Sequence, residues 1–153
     1  MPDRLGGEPA PETLLLDTHV WIWALEGGSA LLSARVLDRV NAVSLTGTLL
    51  VSAMSVWEVA LLEARGRVDL RRPIHAWVDA ALGAPGVRLL PLEPEIAVAS
   101  TRLPGDPHGD PADRILMASA RAAGAPLVTC DARILRYARG AGAGHVPVVD
   151  ARA

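Results

Sequence analysis

The sequence predicts an α/β protein of three layers, α/β/α, built on a central, mostly parallel sheet of four to five strands. Two observations lead there. Short apolar runs alternate along the whole chain with longer segments of helical periodicity, and such alternation requires crossover connections that leave a parallel sheet covered on both faces. Glycines and prolines fall at the joints between these segments, where they end helices or open them. At 153 residues, half of them hydrophobic, the chain is long enough for one sizeable core and short enough for one domain.

Residues 1–12, MPDRLGGEPAPE, are polar and rich in Pro and Gly, and read as a flexible leader to a single domain over 13–150. Thr13 to Leu16 is a short apolar run of the kind buried on both sides. A helix should follow from Thr18 to Glu26, ended by Gly27-Gly28, then a second from Ser33, its cap, to about Val43. Leu49 to Ser52 is the next strand. The helix after it runs from Ser55, as cap, to about Arg65. Pro73 opens a helix over Ile74 to Leu82, stopped at Gly83, and Val87 to Leu90 is the third strand. A helix from Pro94 to about Arg102 leads into the turn-rich segment PGDPHGDP, Pro104 to Pro111. Pro111 to Ala123 is helical up to Gly124. Leu127 to Thr129 is the fourth strand, Ala132 to Arg139 the last helix, and Val146 to Val149 a possible fifth strand.

Composition narrows the function classes. A net charge of −2 gives no global field to draw nucleic acid or a membrane surface, so a polyanion would need a local patch or a bound cation. All basic residues are Arg, the better side chain for bidentate phosphate contacts. Cys130 is the only cysteine, which excludes an intrachain disulfide and suits a reducing compartment. Apolar stretches are interrupted by Asp17 or Glu58 and fall short of the roughly 20 residues that span a bilayer. A soluble, cytoplasmic protein is expected.

Four carboxylates stand where strands hand over to helices: Asp17, Glu58, Asp113 and Asp131. In open parallel sheets, ligands bind beyond the carboxyl ends of the strands, so acids spread over more than a hundred residues can meet there. Each has a structural explanation. Asp17 and Asp131 can cap helices, Ser55 and Glu58 match a capping box, and Asp110 can cap with Pro111 after it and Asp113 one turn in. Caps, however, are as readily Ser, Thr or Asn, and here the acid recurs at the site-facing end. Four uncompensated carboxylates would repel severely; hard divalent cations relieve this and prefer oxygen ligands. The pattern points to a metal-dependent enzyme acting on phosphates.

The segments LLLDTHVWIWAL, SAMSVWEVALLEARGRVDL and HGDPADRILMASARAAGAPLVTCDARIL resemble the PIN-domain ribonucleases, in particular VapC-type toxins of type II toxin–antitoxin pairs. Order, spacing and flanking residues agree from about Thr13 to Leu135. The resemblance implies a PIN-like fold and an Mg²⁺- or Mn²⁺-dependent endoribonuclease leaving a 5′-phosphate and a 3′-hydroxyl. It places the acidic quartet on Asp17, Glu58, Asp113 and Asp131 as catalytic residues and metal ligands. Thr18, Thr129 and Asp110 would stand behind them; Arg114 would neutralise the cluster, touch a phosphate or form a structural ion pair. It also implies an RNA substrate, a VapB-like antitoxin whose tail lies on the apolar helices between Thr18 and Leu82, and a homodimer. With no DNA-reading motif in the chain, promoter binding would belong to the antitoxin. Cys130 stands where relatives often carry a larger or charged residue.

Other residues divide between function and packing. The Arg65, Arg67, Arg71 and Arg72 cluster could track RNA or be a solvated face. Trp21, Trp23, Trp57 and Trp77 have spacing that favours core or dimer contact over base stacking. His19, His75, His108 and His145 lack zinc-ligand spacing, though His19 and His108 lie near the expected site. Two alternatives stay open. One is a phosphatase using Asp17, which lacks the acid expected at His19; the other is a PIN-like binding module without catalysis, which the intact quartet argues against.

Overall fold

A computed structural model describes residues 10–27, 30–107 and 109–153. Five strands form one sheet in the order β3-β2-β1-β4-β5, every neighbouring pair parallel. They are β1 (Thr13–Leu16), β2 (Thr48–Ser52), β3 (Val87–Leu90), β4 (Leu127–Thr129) and β5 (Val148–Asp150). The chain therefore starts at the centre, winds outward through β2 and β3, and returns to build β4 and β5 on the other flank of β1. The winding reverses between β1 and β4, where Leu16 is paired with Val128. That reversal opens a crevice at the strand ends and is the expected ligand position.

Side-chain alternation along the strands sorts the core into two layers. Leu14 and Leu16 of β1, Leu49 and Val51 of β2 and Val128 of β4 point into one cluster. There they meet Val20 and Trp21 of α1 (Thr18–Glu26), Val36 and Val40 of α2 (Ala34–Thr46), Val59 of α3 (Ala53–Ala64) and Trp77 of α4 (Ile74–Leu82). Leu15, Leu50 and Leu127 point the other way. They pack on Ile96 of α5 (Pro94–Ser100), Leu116 and Met117 of α6 (Pro111–Ala123) and Ile134 and Tyr137 of α7 (Ala132–Arg139). These are the three layers the alternation predicts, and the central strands are apolar between their ends because both faces are covered.

Most boundaries fall where turn residues put them. Gly27 and Gly124 end α1 and α6 in the left-handed region, at φ 95° and 61°. Other boundaries shift: β2 begins at Thr48, helix α2 runs on to Thr46, α5 stops at Ser100, and β5 spans Val148–Asp150, leaving Val146 buried in the preceding loop. One further difference bears on the site. Helix α3 starts at Ala53, capped by the Ser52 hydroxyl, which accepts from Met54 N–H at 3.0 Å. Ser55 is thus not a cap and Ser55–Glu58 is not a capping box. The box fits the local pattern equally well, but Ser52 ends a strand and so sits where the backbone must turn. Glu58 consequently lies in the second turn of α3, not its first.

The leader up to position 9, Gly28 and His108 lie outside the described residues. Glu12, at the leader's end, accepts a hydrogen bond from Thr48 N–H at 3.0 Å and pairs with Arg39. Past position 150, Ala151 is fully buried, its N–H donating to Thr129 O and its carbonyl accepting from Ser33 N–H.

Candidate functional site

A cavity of about 520 Å³ lies at the carboxyl ends of β1 and β4. Asp17, Glu58, Asp110, Asp113 and Asp131 all line it. The fold accordingly gathers the four acids predicted at strand–helix junctions, and Asp110 with them.

Asp17 follows β1 directly and caps α1. Its Oδ1 accepts from Thr18 N–H at 2.7 Å and its Oδ2 from the Thr129 hydroxyl at 2.6 Å. Burial pushes its carboxyl above the usual range. The bonds from Thr129 and Thr18 oppose that rise, and the nearby Asp131 adds to it. Thr129 is fully buried at the end of β4 and serves two acids at once: while donating to Asp17, its oxygen accepts from Asp131 N–H at 3.0 Å. Asp131 then caps α7, its Oδ1 taking Arg133 N–H at 2.8 Å and Ile134 N–H at 3.2 Å. Asp110 does the same for α6, taking Ala112 N–H at 2.9 Å and Asp113 N–H at 3.2 Å. Capping and convergence are therefore not alternatives, because a helix that starts at the site puts its cap there.

Glu58 carries the clearest electrostatic signature. Its carboxyl is pushed up to about 7, first by burial and then by the charges of Asp17, Asp113 and Asp110, against a hydrogen bond from Thr18. Burial is the larger cause, and the added push from three acids puts like charges around one site. Thr18 is buried beneath it, with its hydroxyl 3.0 Å from that of Ser55. Ser55 is a member of this polar group that a capping-box reading hides.

Arg114 faces the loop before α6. Its guanidinium donates to Ser100 O at 3.3 Å, Pro107 O at 2.6 Å and Asp106 Oδ1 at 2.8 Å. Tyr137 donates to Pro104 O at 2.6 Å from the other end. Within this loop Gly105 has φ 71°, and a side chain there would collide with Ala141. The segment that delivers Asp110 and Asp113 is thereby tied at several points. None of the Arg65–Arg72 cluster lines the cavity; that cluster follows the far end of α3. Trp21 and Trp77 are core residues, packed edge to face at 5.0 Å, and Trp23 is half-buried beside His19. Trp57 differs, being 55% exposed and lining the cavity.

The oxygen donors lining the cavity are carboxylates, which suit a hard cation; His19 adds an imidazole, and the Cys130 thiol is kept protonated by burial and by Asp17. Among the described residues, no three His, Cys, Asp or Glu side chains stand as close together as a finished coordination shell requires. Asp17, Asp110 and Asp131 each hold N–H or O–H donors, and neighbouring carboxylates repel one another.

The PIN domain family model matches residues 14–140. The chain belongs to this family. The PIN domain here is 34% identical over 123 residues to Ribonuclease VapC22 of Mycobacterium tuberculosis, an alignment covering 80% of this chain and 89% of that protein. In fold it is similar to a chain of the crystal structure of VapBC2 from Rickettsia felis bound to a DNA fragment from their promoter, with a TM-score of 0.62, 14% identity and coverage of 90% and 97%. A chain of DNA-bound VapBC from Salmonella typhimurium gives a TM-score of 0.61 at 16% identity, with coverage of 92% and 98%. The PIN resemblance carried by the acidic motifs and the three-layer parallel fold agree with these matches. No helix among the described residues is long and apolar enough to cross a membrane.

Proposed function

We propose that this PIN domain is a VapC-like endoribonuclease toxin that hydrolyses RNA phosphodiester bonds with Mg²⁺ or Mn²⁺ and is inhibited by a VapB-like antitoxin. The observation that carries the reading is the convergence of Asp17, Glu58, Asp113 and Asp131 on one cavity. Kinship to a VapC ribonuclease and to chains of VapBC complexes supports it.

In this reading Asp17, Glu58, Asp113 and Asp131 hold the cation. Bound there, it would activate water and neutralise charge on the phosphate. The remaining work belongs to the chain. Thr129 holds Asp17 and Asp131 in a fixed relation. Thr18 favours the charged form of Glu58. Asp110 starts α6 so that Asp113 sits in its first turn, at the positive end of the helix dipole. Arg114 secures the loop that carries both. A phosphatase using Asp17 has no comparable support, since position 19 holds His where that reading expects an acid.

A homodimer, residence in the cytoplasm and promoter binding by the antitoxin alone complete the proposal. The decisive test is Asp113→Asn. It should abolish RNA cleavage in Mn²⁺ while circular dichroism and the melting temperature stay near wild type. Cleavage at the wild-type rate by purified Asp113→Asn protein would refute the assignment.

A further inference from the structure

Tyr137 and the glycine-rich turn after α7, Gly140 to Gly144, do not line the cavity. They meet the loop before α6 from behind. Tyr137 is buried, and its hydroxyl donates to Pro104 O at 2.6 Å. Gly142 lies against its ring, where a Cβ would collide with the ring carbons, and Gly142 N–H donates to Tyr137 O at 2.8 Å. Ala141, beside it, fills the space that a side chain on Gly105 would need. The loop resting on this platform has two consecutive left-handed residues, Gly105 at φ 71° and Asp106 at φ 46°. Left-handed backbone costs an Asp more than a Gly and persists where the surroundings hold it. Arg114 holds it from the other side, through Asp106 Oδ1 and Pro107 O.

These contacts close a ring. Arg114 follows Asp113 directly in α6 and grips the loop, the loop is bonded to Tyr137, and Tyr137 stands in the helix that Asp131 caps. The stretch of α7 from Asp131 to Tyr137 is a strut of about 9 Å. Ile134 and Tyr137 lock it into the core cluster that also holds Leu103 and Leu116. Both ends of the ring, Asp113 and Asp131, open into the cavity. When two like charges share one cation, their separation is set by mutual repulsion unless something behind them fixes it. Here a hydrogen bond outside the cavity stands behind both.

We propose that Tyr137 is a positioning residue which, through α7 and the loop before α6, sets the separation of Asp113 and Asp131 and with it the affinity for the divalent cation. The inference rests on the metal-dependent reading above and adds a determinant that the cavity itself does not contain.

Tyr137→Phe keeps the ring against Gly142 and removes only the donor. Titration calorimetry with Mn²⁺ should show affinity about 5-fold weaker, the equivalent of one net hydrogen bond. RNA cleavage should need correspondingly more Mn²⁺ to reach half its maximum and regain the wild-type rate at saturation, which general destabilisation would not produce. Gly142→Ala keeps the hydroxyl but crowds the ring, and should weaken Mn²⁺ binding in the same direction. Val40→Ala, in the opposite core layer, is the comparison: its melting temperature should fall further than that of Tyr137→Phe, with Mn²⁺ affinity unchanged. In metal-free protein, amide exchange at 103–106 and in the first turn of α6 should quicken together in Tyr137→Phe. Unchanged Mn²⁺ affinity in Tyr137→Phe overturns the proposal, and so does an equal loss in Val40→Ala. Cleavage by Tyr137→Phe that stays low at saturating Mn²⁺ also overturns it. Should wild-type protein bind no Mn²⁺ at all, the metal reading itself fails and takes this proposal with it.

Discussion

Glu58 is the residue whose ionisation costs the fold most visibly. Its folded value of about 7 lies above the 4.5 of an unperturbed glutamate, so the folded state holds a proton that the unfolded state releases. Stability of the metal-free protein should therefore fall as pH rises from about 4.5 through about 7, and level off above. The loss should be about 1–2 kcal/mol, less than the full shift implies because water reaches and screens the side chain. Glu58→Gln should flatten the profile when urea unfolding is followed between pH 4 and 8. A cation held by Glu58 would reverse the sign, because its binding would expel the proton. Mn²⁺ affinity by calorimetry should rise through neutral pH in wild type and much less in Glu58→Gln. At Thr129 one hydroxyl serves two partners. Thr129→Val keeps the shape and orphans Asp17 Oδ2 and Asp131 N–H, so unfolding free energy should drop by about 1–3 kcal/mol. Cleavage should fall with it.

At the scale of elements, the site is a set of helix starts. Helices α1, α6 and α7 begin with Asp17, Asp110 and Asp131, so the bonds that nucleate each helix also aim a carboxylate into the cavity. Helix α3 follows a different plan. Ser52 caps it and Glu58 enters from the second turn. Ser52→Ala should cost about 1 kcal/mol of stability in urea unfolding, as loss of a cap does. Were Ser52→Ala silent, the position of Glu58 along α3 would be in doubt. The loop before α6 is held by Arg114 and Tyr137. Arg114→Met should leave the sheet intact yet loosen this loop, seen as faster amide exchange at 103–110 and a lower cleavage rate. Element boundaries were legible in sequence wherever Gly or Pro marked them, as at Gly27, Pro111 and Gly124. They were not legible at Ser52 and Ser55, where two similar serines compete for one cap and only the end of β2 decides between them.

For the molecule as a whole, the strand order is what makes a site. Because β1 lies between β2 and β4, Asp17 and Asp131, more than a hundred residues apart, flank the point where the winding reverses. Leu116 is fully buried beneath it, and Leu116→Ala should cost about 2–5 kcal/mol, measured by chemical denaturation. A ligand held only by the folded state should offset part of such a loss. Mn²⁺ at a hundred times its dissociation constant should add about 2.7 kcal/mol to wild type and far less to Asp113→Asn.

The sequence alone determined the layered parallel fold, the order of its elements and the four acids worth watching. All of these are local signals, namely periodicity, turn residues and charge at a junction. Tertiary structure alone decided which side chains share the cavity. It sent Trp21 and Trp77 to the core and left Trp57 at the site, and it turned Arg114 to a loop while bringing Arg133 to the acids. Four tryptophans on apolar helix faces look alike along the chain. Their roles separate only when the sheet fixes which face each helix turns inward.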